Sequence, residues 1–241
     1  MERAEAERLF LAAAREAAGA FPVEAPRLSL VTVSENVTFR LTDGRTGEDW
    51  VLRLHRPGYN SAAELEAERL WTAALREAGL EAPEPLPARD GRAFVPQAIP
   101  ETGETRLVGV TCWIEGEVLD ERLKAPAHAA ERAGWFARLG DLVARTHRQS
   151  EAWTPPAGFV RPTLDADGLM GPAPRWGPFW DHAALGAGDR DLFLAARDRL
   201  HARLSDLPRD PAVFGVIHAD LHPGNLLARE GDLAIIDFDD T

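Results

Sequence analysis

Two short apolar runs near the end of the printed sequence, each followed by an aspartate, constrain the fold more than any other feature. The first run, Val213–Ile217, leads into the segment His218-Ala219-Asp220-Leu221-His222-Pro223-Gly224-Asn225. The second run, Leu233–Ile236, leads into Asp237-Phe238-Asp239. Both runs have the length and composition of buried strands bounded by turn residues. We therefore predict a strand, a tight polar loop and a hairpin that bring Asp220, Asn225 and Asp237 to one place.

These residue types suit phosphoryl transfer from ATP. That reaction needs a carboxylate that accepts the proton of the attacking hydroxyl, and oxygen ligands for magnesium on the phosphates. Asn225 lies five residues after Asp220, far enough for a tight loop to turn its side chain back. Asp237 ends the next apolar run, so a hairpin would place it beside Asn225. Two oxygen ligands facing a nucleotide suit a hard cation that keeps several waters.

Composition narrows the class of partner. The 241 residues are enough for one large domain or for two small lobes sharing a cleft, and 45% of them are hydrophobic. The formal net charge of −12 argues against nucleic acid or an anionic membrane as the main partner. Cys112 is the only cysteine, which excludes an intramolecular disulfide and a cysteine-based metal cage. The acidic N-terminal segment is untypical of a signal or transit peptide, so we expect a cytoplasmic protein.

The order of the predicted elements indicates a sheet followed by helices. Ala4–Ala18 has the pattern of an amphipathic helix, and Ser61 with Glu64 forms a capping box that opens a helix ending at Gly79. The remaining apolar runs of the first half predict an antiparallel sheet: Leu28–Val33, Val37–Leu41, Trp50–Leu54, Ala93–Ile99 and Arg106–Ile114. The second half predicts one long helix from about Ala127 to His147 and another from about Asp189 to Ser205.

The segment His218–Asn225 together with Asp237 resembles the aminoglycoside phosphotransferase family, whose relatives include choline kinases, homoserine kinases and, more distantly, protein kinases. The resemblance extends to three earlier segments. Leu30–Leu41, LVTVSENVTFRL, is similar to the family's phosphate-covering hairpin, and Trp50–Tyr59, WVLRLHRPGY, to its third strand. Cys112–Gly116, CWIEG, is similar to the hinge that reads adenine through backbone groups.

The resemblance implies an α+β, two-lobed protein-kinase-like fold. Residues 1–113 would form an N-terminal helix and a nucleotide-binding lobe, an antiparallel sheet with one internal helix. Residues 114–241 would form a mainly helical lobe that carries the catalytic and metal loops. Relatives normally continue past the magnesium-binding aspartate, so we expect this second lobe to be truncated, with apolar surface uncovered around Phe136 and Phe193.

The resemblance also implies roles for individual residues. The protein would be an ATP- and Mg²⁺-dependent phosphotransferase acting on a hydroxyl of a small molecule such as an aminoglycoside, an amino alcohol or a sugar. Asp220 would be the catalytic base, Asn225 and Asp237 would hold magnesium, and His218 would brace the loop. The residues expected to bind the nucleotide are Asn36, Arg53, Glu68, Trp113 and Ile114.

Arg53 and Glu68 are expected to pair. Arg53 stands where many relatives have lysine, and arginine can neutralise phosphate through two parallel hydrogen bonds. Glu68 interrupts the apolar face of the helix that follows, and a charge on an inward face needs a partner.

Three alternatives remain open from the sequence. A pseudokinase would bind nucleotide or a partner without turnover, and a serine/threonine protein kinase of the same fold would use a protein acceptor. The run Asp237-Phe238-Asp239-Asp240-Thr241 also matches the Asp-x-Asp-x-Thr motif of haloacid-dehalogenase-like phosphatases. That remote alternative leaves Asp220 and Asn225 without a role.

Overall fold

The computed structural model describes residues 3–125 and 130–241. By contacts within the chain, the described residues up to 159 form one compact unit with residues 217–241, and residues 160–216 form another. The candidate site lies entirely in the first unit. None of the described helices is both long enough and apolar enough to cross a bilayer. The predicted division of the chain into lobes at residues 113 and 114 stays a prediction.

The first unit contains a five-stranded antiparallel sheet with the order β1-β2-β3-β5-β4. Its strands are β1 Arg27–Val33, β2 Val37–Thr42, β3 Asp49–Leu54, β4 Phe94–Ile99 and β5 Glu104–Cys112. Helix α1, Arg3–Ala18, packs against β1 and β4 and covers a core that includes Phe10, Phe39 and Leu52. The predicted sheet is therefore confirmed, with strand bounds that differ from the prediction by one or two residues.

Helix α2, Ala62–Glu77, follows β3 and begins with the predicted capping box. The Ser61 Oγ accepts from the Glu64 N–H at 3.2 Å, and the Glu64 carboxylate accepts from the Ser61 N–H at 2.6 Å. Two of the otherwise unpaired N–H groups of the helix end are satisfied in this way. Trp71 on the inner face is buried, and its Nε1–H donates to Gln149 Oε1 at 3.0 Å.

A second, three-stranded sheet has the order β6-β7-β8, with β6 Glu117–Val118, β7 Leu226–Arg229 and β8 Asp232–Ile235. Helices α3, Leu119–Lys124, and α4, Arg132–Ala152, belong to the same unit. The unit of residues 160–216 contains α5, Ala166–Met170, and α6, Ala187–Ser205. Phe136 on α4 and Phe193 on α6 are exposed.

Two sequence predictions were wrong. The run Val213–Ile217 forms no strand, and its side chains Val213, Phe214 and Ile217 are exposed. A strand needs a neighbour to pair with, and within the described residues the second sheet consists of β6, β7 and β8 alone. The long helix α4 also ends at Ala152 instead of His147, because the first helix-breaking residue after it is Pro155. The predicted start of that helix at Ala127 lies outside the described residues.

His55, the residue directly after β3, is buried. Its backbone N–H donates to the Leu107 carbonyl at 2.9 Å, and its ring meets Phe94 edge-on at 5.6 Å. Burial lowers the pKa of His55 to about 4, opposed by the Asp239 carboxylate and assisted by Arg53. The imidazole is therefore neutral near pH 7 and must gain a proton in a dry environment when the solution is acidified.

We expect the His55→Gln variant to lose less stability on acidification than the wild type. In the unfolded chain histidine titrates near its ordinary pKa of about 6.5, so between about pH 6.5 and 4 the unfolded state binds the extra proton. The free energy of unfolding should fall over that range, by up to about 3 kcal/mol from this residue. Denaturant titrations across the range should give a smaller fall for the variant. Exposed His147→Gln is the matched control, and equal falls for all three proteins would contradict the assignment.

Candidate active site

Asp220 and Asn225 are brought together by a tight loop. The His222 N–H donates to the Asp220 carbonyl at 3.0 Å, and a 3₁₀ turn over Pro223–Asn225 follows. The Asn225 side-chain nitrogen donates to the Asp220 carbonyl at 2.9 Å and to its carboxylate at 3.0 Å. About half of the Asp220 side chain remains exposed. A carboxylate is thus held by its neighbours and open to an incoming group.

His218 braces this loop from beneath. Its Nε2 lies 3.0 Å from the Ile236 carbonyl and donates to it, and its ring packs on Phe238 at 4.8 Å. Burial lowers the pKa of His218, opposed by that hydrogen bond and by nearby aspartates, so the ring is neutral at pH 7. The residue is buried and connects the Asp220 loop to the segment after β8, which is the bracing contact expected from the sequence.

Asp237 lies beside Asn225 because β7 and β8 form a hairpin. Leu226 pairs with Ile235, and the Ile236 N–H donates to the Asn225 carbonyl at 3.0 Å. Asp237 follows with a backbone φ of 63°, a left-handed conformation that is uncommon for any residue other than glycine. The chain turns sharply there, and the Asp237 carboxylate accepts from Arg53 Nη1 at 2.7 Å.

Arg53 on β3 forms ion pairs with two carboxylates. Its Nη1 donates to Asp237 at 2.7 Å and to Asp239 at 3.2 Å. Burial alone would lower the pKa of Arg53, but the negative charges of Asp237, Asp239 and Glu68 raise it above its ordinary value. Glu68 thus acts on Arg53 through its charge, and the predicted Arg53–Glu68 ion pair stays a prediction. Asp239 was not predicted from the sequence as a partner of Arg53. The only sign of it there is a second acidic residue two positions after Asp237.

Asn36 lies in the turn between β1 and β2 and is buried. Its side-chain nitrogen donates to the Asp239 carboxylate, and its side-chain oxygen accepts from the Arg56 N–H at 2.9 Å. The turn itself is closed by the Ser34 N–H, which donates to the Asn36 carbonyl at 3.0 Å. Both ends of the amide are therefore engaged within the protein.

The predicted hinge follows β5. The Cys112 N–H donates to the Glu84 carbonyl at 2.7 Å, and the Trp113 N–H donates to the Asp49 carbonyl at 3.3 Å. The Arg40 guanidinium lies over the Trp113 ring, with its Cζ 4.7 Å from the ring centroid. Ile114 is buried. The two hydrogen bonds fix the backbone of Cys112 and Trp113 at the end of the first sheet.

The donor set of this site fits a magnesium ion. Magnesium prefers carboxylate and amide oxygens, and the loop and hairpin supply Asp237 and Asn225 together. The Asn225 nitrogen is turned to Asp220, so its amide oxygen lies on the other side of the group. Within the described ranges there is no group of three or more His, Cys, Asp or Glu residues arranged for a metal.

The chain is similar in sequence and fold to known phosphotransferases. The sequence model of the APH phosphotransferase enzyme family matches residues 30–241. The microcompartment-associated aminopropanol kinase is 32% identical with a TM-score of 0.77, covering 95% of this chain and 69% of that one. The amicoumacin kinase hAmiN, solved with AMP-PNP, Ca²⁺ and Ami, is 20% identical with a TM-score of 0.76, covering 99% and 67%.

Among curated proteins, the amicoumacin kinase of Bacillus subtilis is 23% identical over 232 residues, 93% of this chain. The chain spans 57–61% of the length of the curated relatives it matches. The family match leaves no place for the haloacid-dehalogenase alternative and confirms the α+β protein-kinase-like fold predicted from the sequence. The chain belongs to the APH phosphotransferase enzyme family.

Proposed function

We propose that this protein transfers the γ-phosphoryl group of ATP directly to a hydroxyl of a small amino alcohol. The observation that carries the proposal is the grouping of Asp220, Asn225 and Asp237 on one loop and one hairpin, with Arg53 bound to Asp237. Phosphoryl transfer depends mainly on positioning and charge stabilisation, and this grouping supplies both.

Asp220 is the proposed base. Its carboxylate accepts a hydrogen bond from Asn225 at 3.0 Å and lies 3.6 Å from the His222 ring. Its partial exposure lets an acceptor hydroxyl approach, and the carboxylate would orient that hydroxyl and take its proton as the oxygen attacks phosphorus. The constraint on the loop fixes the direction of attack, which favours in-line transfer.

Asn225 and Asp237 are the proposed ligands of Mg²⁺, and the ion would supply positive charge against the phosphates. Arg53 would contact the phosphates, with Glu68 contributing to its charge environment. Trp113 and Ile114, after β5, are proposed to contact the adenine through their backbone. Asn36 supports the turn between β1 and β2 over the phosphates.

An amino alcohol is the acceptor that the comparisons favour. The relative at 32% identity is an aminopropanol kinase, and amicoumacin kinase relatives also match. A cationic amine suits a chain of net charge −12 whose site is rich in aspartate. Aminoglycosides and sugars are the next acceptors to compare, because their hydroxyl groups could reach the same base.

The deciding experiment incubates the protein with Mg-ATP and a panel of acceptors, namely 1-amino-2-propanol, ethanolamine, choline, an aminoglycoside and a hexose. Phosphorylated product is followed by mass spectrometry and ADP release. Transfer to an amino alcohol supports the proposal. Nucleotide binding without transfer to any acceptor would identify a pseudokinase, and transfer only to a protein substrate would identify a protein kinase.

Asp220→Asn should lower kcat by about a hundredfold or more, because the amide keeps the shape and loses the proton acceptor. The remaining side-chain oxygen can still accept from Asn225, so we expect the fold and Mg-ATP binding to persist. Kinetics with the best acceptor and calorimetric nucleotide titration measure the two quantities. Asp232→Asn, an exposed carboxylate at the start of β8, is the matched control. A variant that retains most of its rate would exclude Asp220 as the base.

Asp237→Ala should abolish the tightening of ATP binding by magnesium, because the ion would lose its charged protein ligand. The measurement is the dissociation constant of a non-hydrolysable ATP analogue with magnesium and with a chelator. In the wild type the two values should differ by about tenfold or more, and in the variant they should converge. Asp232→Ala should behave as the wild type. A magnesium effect of unchanged size in Asp237→Ala would assign the ion to other ligands.

A further inference from the structure

The buried carboxylate of Asp239 is not used by the proposed chemistry. The side chain accepts from the Asn36 amide through one oxygen and from Arg53 Nη1 at 3.2 Å through the other. That second oxygen also lies 3.9 Å from His55 Nδ1. The residue is 8% exposed. Burial of a carboxylate is costly unless both of its oxygens accept from donors, and both oxygens of Asp239 do so.

The partners of Asp239 come from separate segments. Asn36 belongs to the turn between β1 and β2, Arg53 to β3, and Asn60, whose side chain donates to the Asp239 carbonyl at 3.0 Å, to the segment before α2. Asp239 itself lies two residues after the proposed metal ligand Asp237. One residue therefore joins the turn expected over the phosphates, the proposed phosphate-binding arginine and the metal-binding end of the hairpin.

The two aspartates after β8 differ in what surrounds them. The Asp237 side chain is 39% exposed, whereas that of Asp239 is 12% exposed and enclosed by donors of the protein. Both polar atoms of the Asn36 side chain are also hydrogen-bonded within the protein: its oxygen accepts from the Arg56 N–H, and its nitrogen donates to Asp239. A carboxylate and an amide engaged in this way hold protein segments in place, and their effect on a ligand is indirect.

We propose that Asp239 is a positioning residue, which holds Asn36 and Arg53 in the arrangement that receives the nucleotide phosphates. The inference depends on the proposed function for its catalytic readout. Asp239 acts through its partners without contacting the metal, the nucleotide or the acceptor. Its loss should disorganise the turn between β1 and β2 and release Arg53 from one of its partners, while Asp220 and Asp237 remain in place.

Asp239→Asn tests this with three measurements, with Asp232→Asn as the matched control. First, KM for ATP should rise by about tenfold, the size expected for losing a buried charge-assisted hydrogen bond, while kcat falls less than KM rises. Second, the magnesium concentration for half-maximal rate at saturating ATP should stay within about twofold of the wild type, because Asp237 is retained. Third, the Ser34 amide hydrogen should exchange faster in the nucleotide-free variant than in either the wild type or the control.

An increase in the magnesium requirement that parallels the loss of Asp237 would overturn the proposal, because Asp239 would then be a metal ligand. Unchanged KM and unchanged Ser34 exchange would also overturn it. If the wild type transfers no phosphate, the proposed function fails, but the exchange measurement still decides whether Asp239 holds the turn. If Asp239→Asn does not fold, Asn36→Ala removes the same hydrogen bond from the other side. It should accelerate Ser34 exchange and weaken nucleotide binding, and failure to do either would refute the proposal.

Discussion

The ion pairs of Arg53 with Asp237 and Asp239 connect the two sheets of the first unit. They join β3 to the segment after β8, across 184 and 186 residues of sequence. Arg53 and Asp239 are largely buried, so removal of the guanidinium would leave a buried carboxylate without a counter-charge, whereas removal of one carboxylate leaves Arg53 paired with the other. The relative positions of the turn after β1, strand β3 and the β7–β8 hairpin therefore depend on one cluster of charges, and the proposed phosphate and metal ligands are members of it.

In addition to the ion pairs of Arg53, the backbone conformation of the loop that carries Asp220 constrains the site locally. Ala219 and Asp237 both have a φ of 63°, in the left-handed region where a Cβ atom is disfavoured. Each is fixed by neighbouring hydrogen bonds, from the His222 N–H to the Asp220 carbonyl and from the Ile236 N–H to the Asn225 carbonyl. The backbone thus turns sharply just before Asp220 and at Asp237 itself. These turns set the direction of the two short carboxylate side chains.

The sequence predicted most elements of the first sheet because alternating apolar residues and turn residues carry that information locally. It also predicted that Asn225 turns back to Asp220, since five residues allow only a tight loop. It failed for Val213–Ile217, because an apolar run does not reveal whether a neighbouring strand exists to pair with it. It could not identify Asp239 as a partner of Asn36 and Arg53, because contacts across some 200 residues depend on how whole elements pack.

The presence of arginine at position 53 has a consequence for chemical labelling. Reagents that carry an acyl group on a nucleotide tag proteins by reaction with an amine close to the phosphates. A guanidinium, held protonated here by three nearby carboxylates, is a poor nucleophile for such acylation. The single lysine of the sequence, Lys124, lies on α3 and is paired with Asp120 and Glu121. Amine-directed nucleotide probes would therefore find no lysine to acylate at position 53 of this chain.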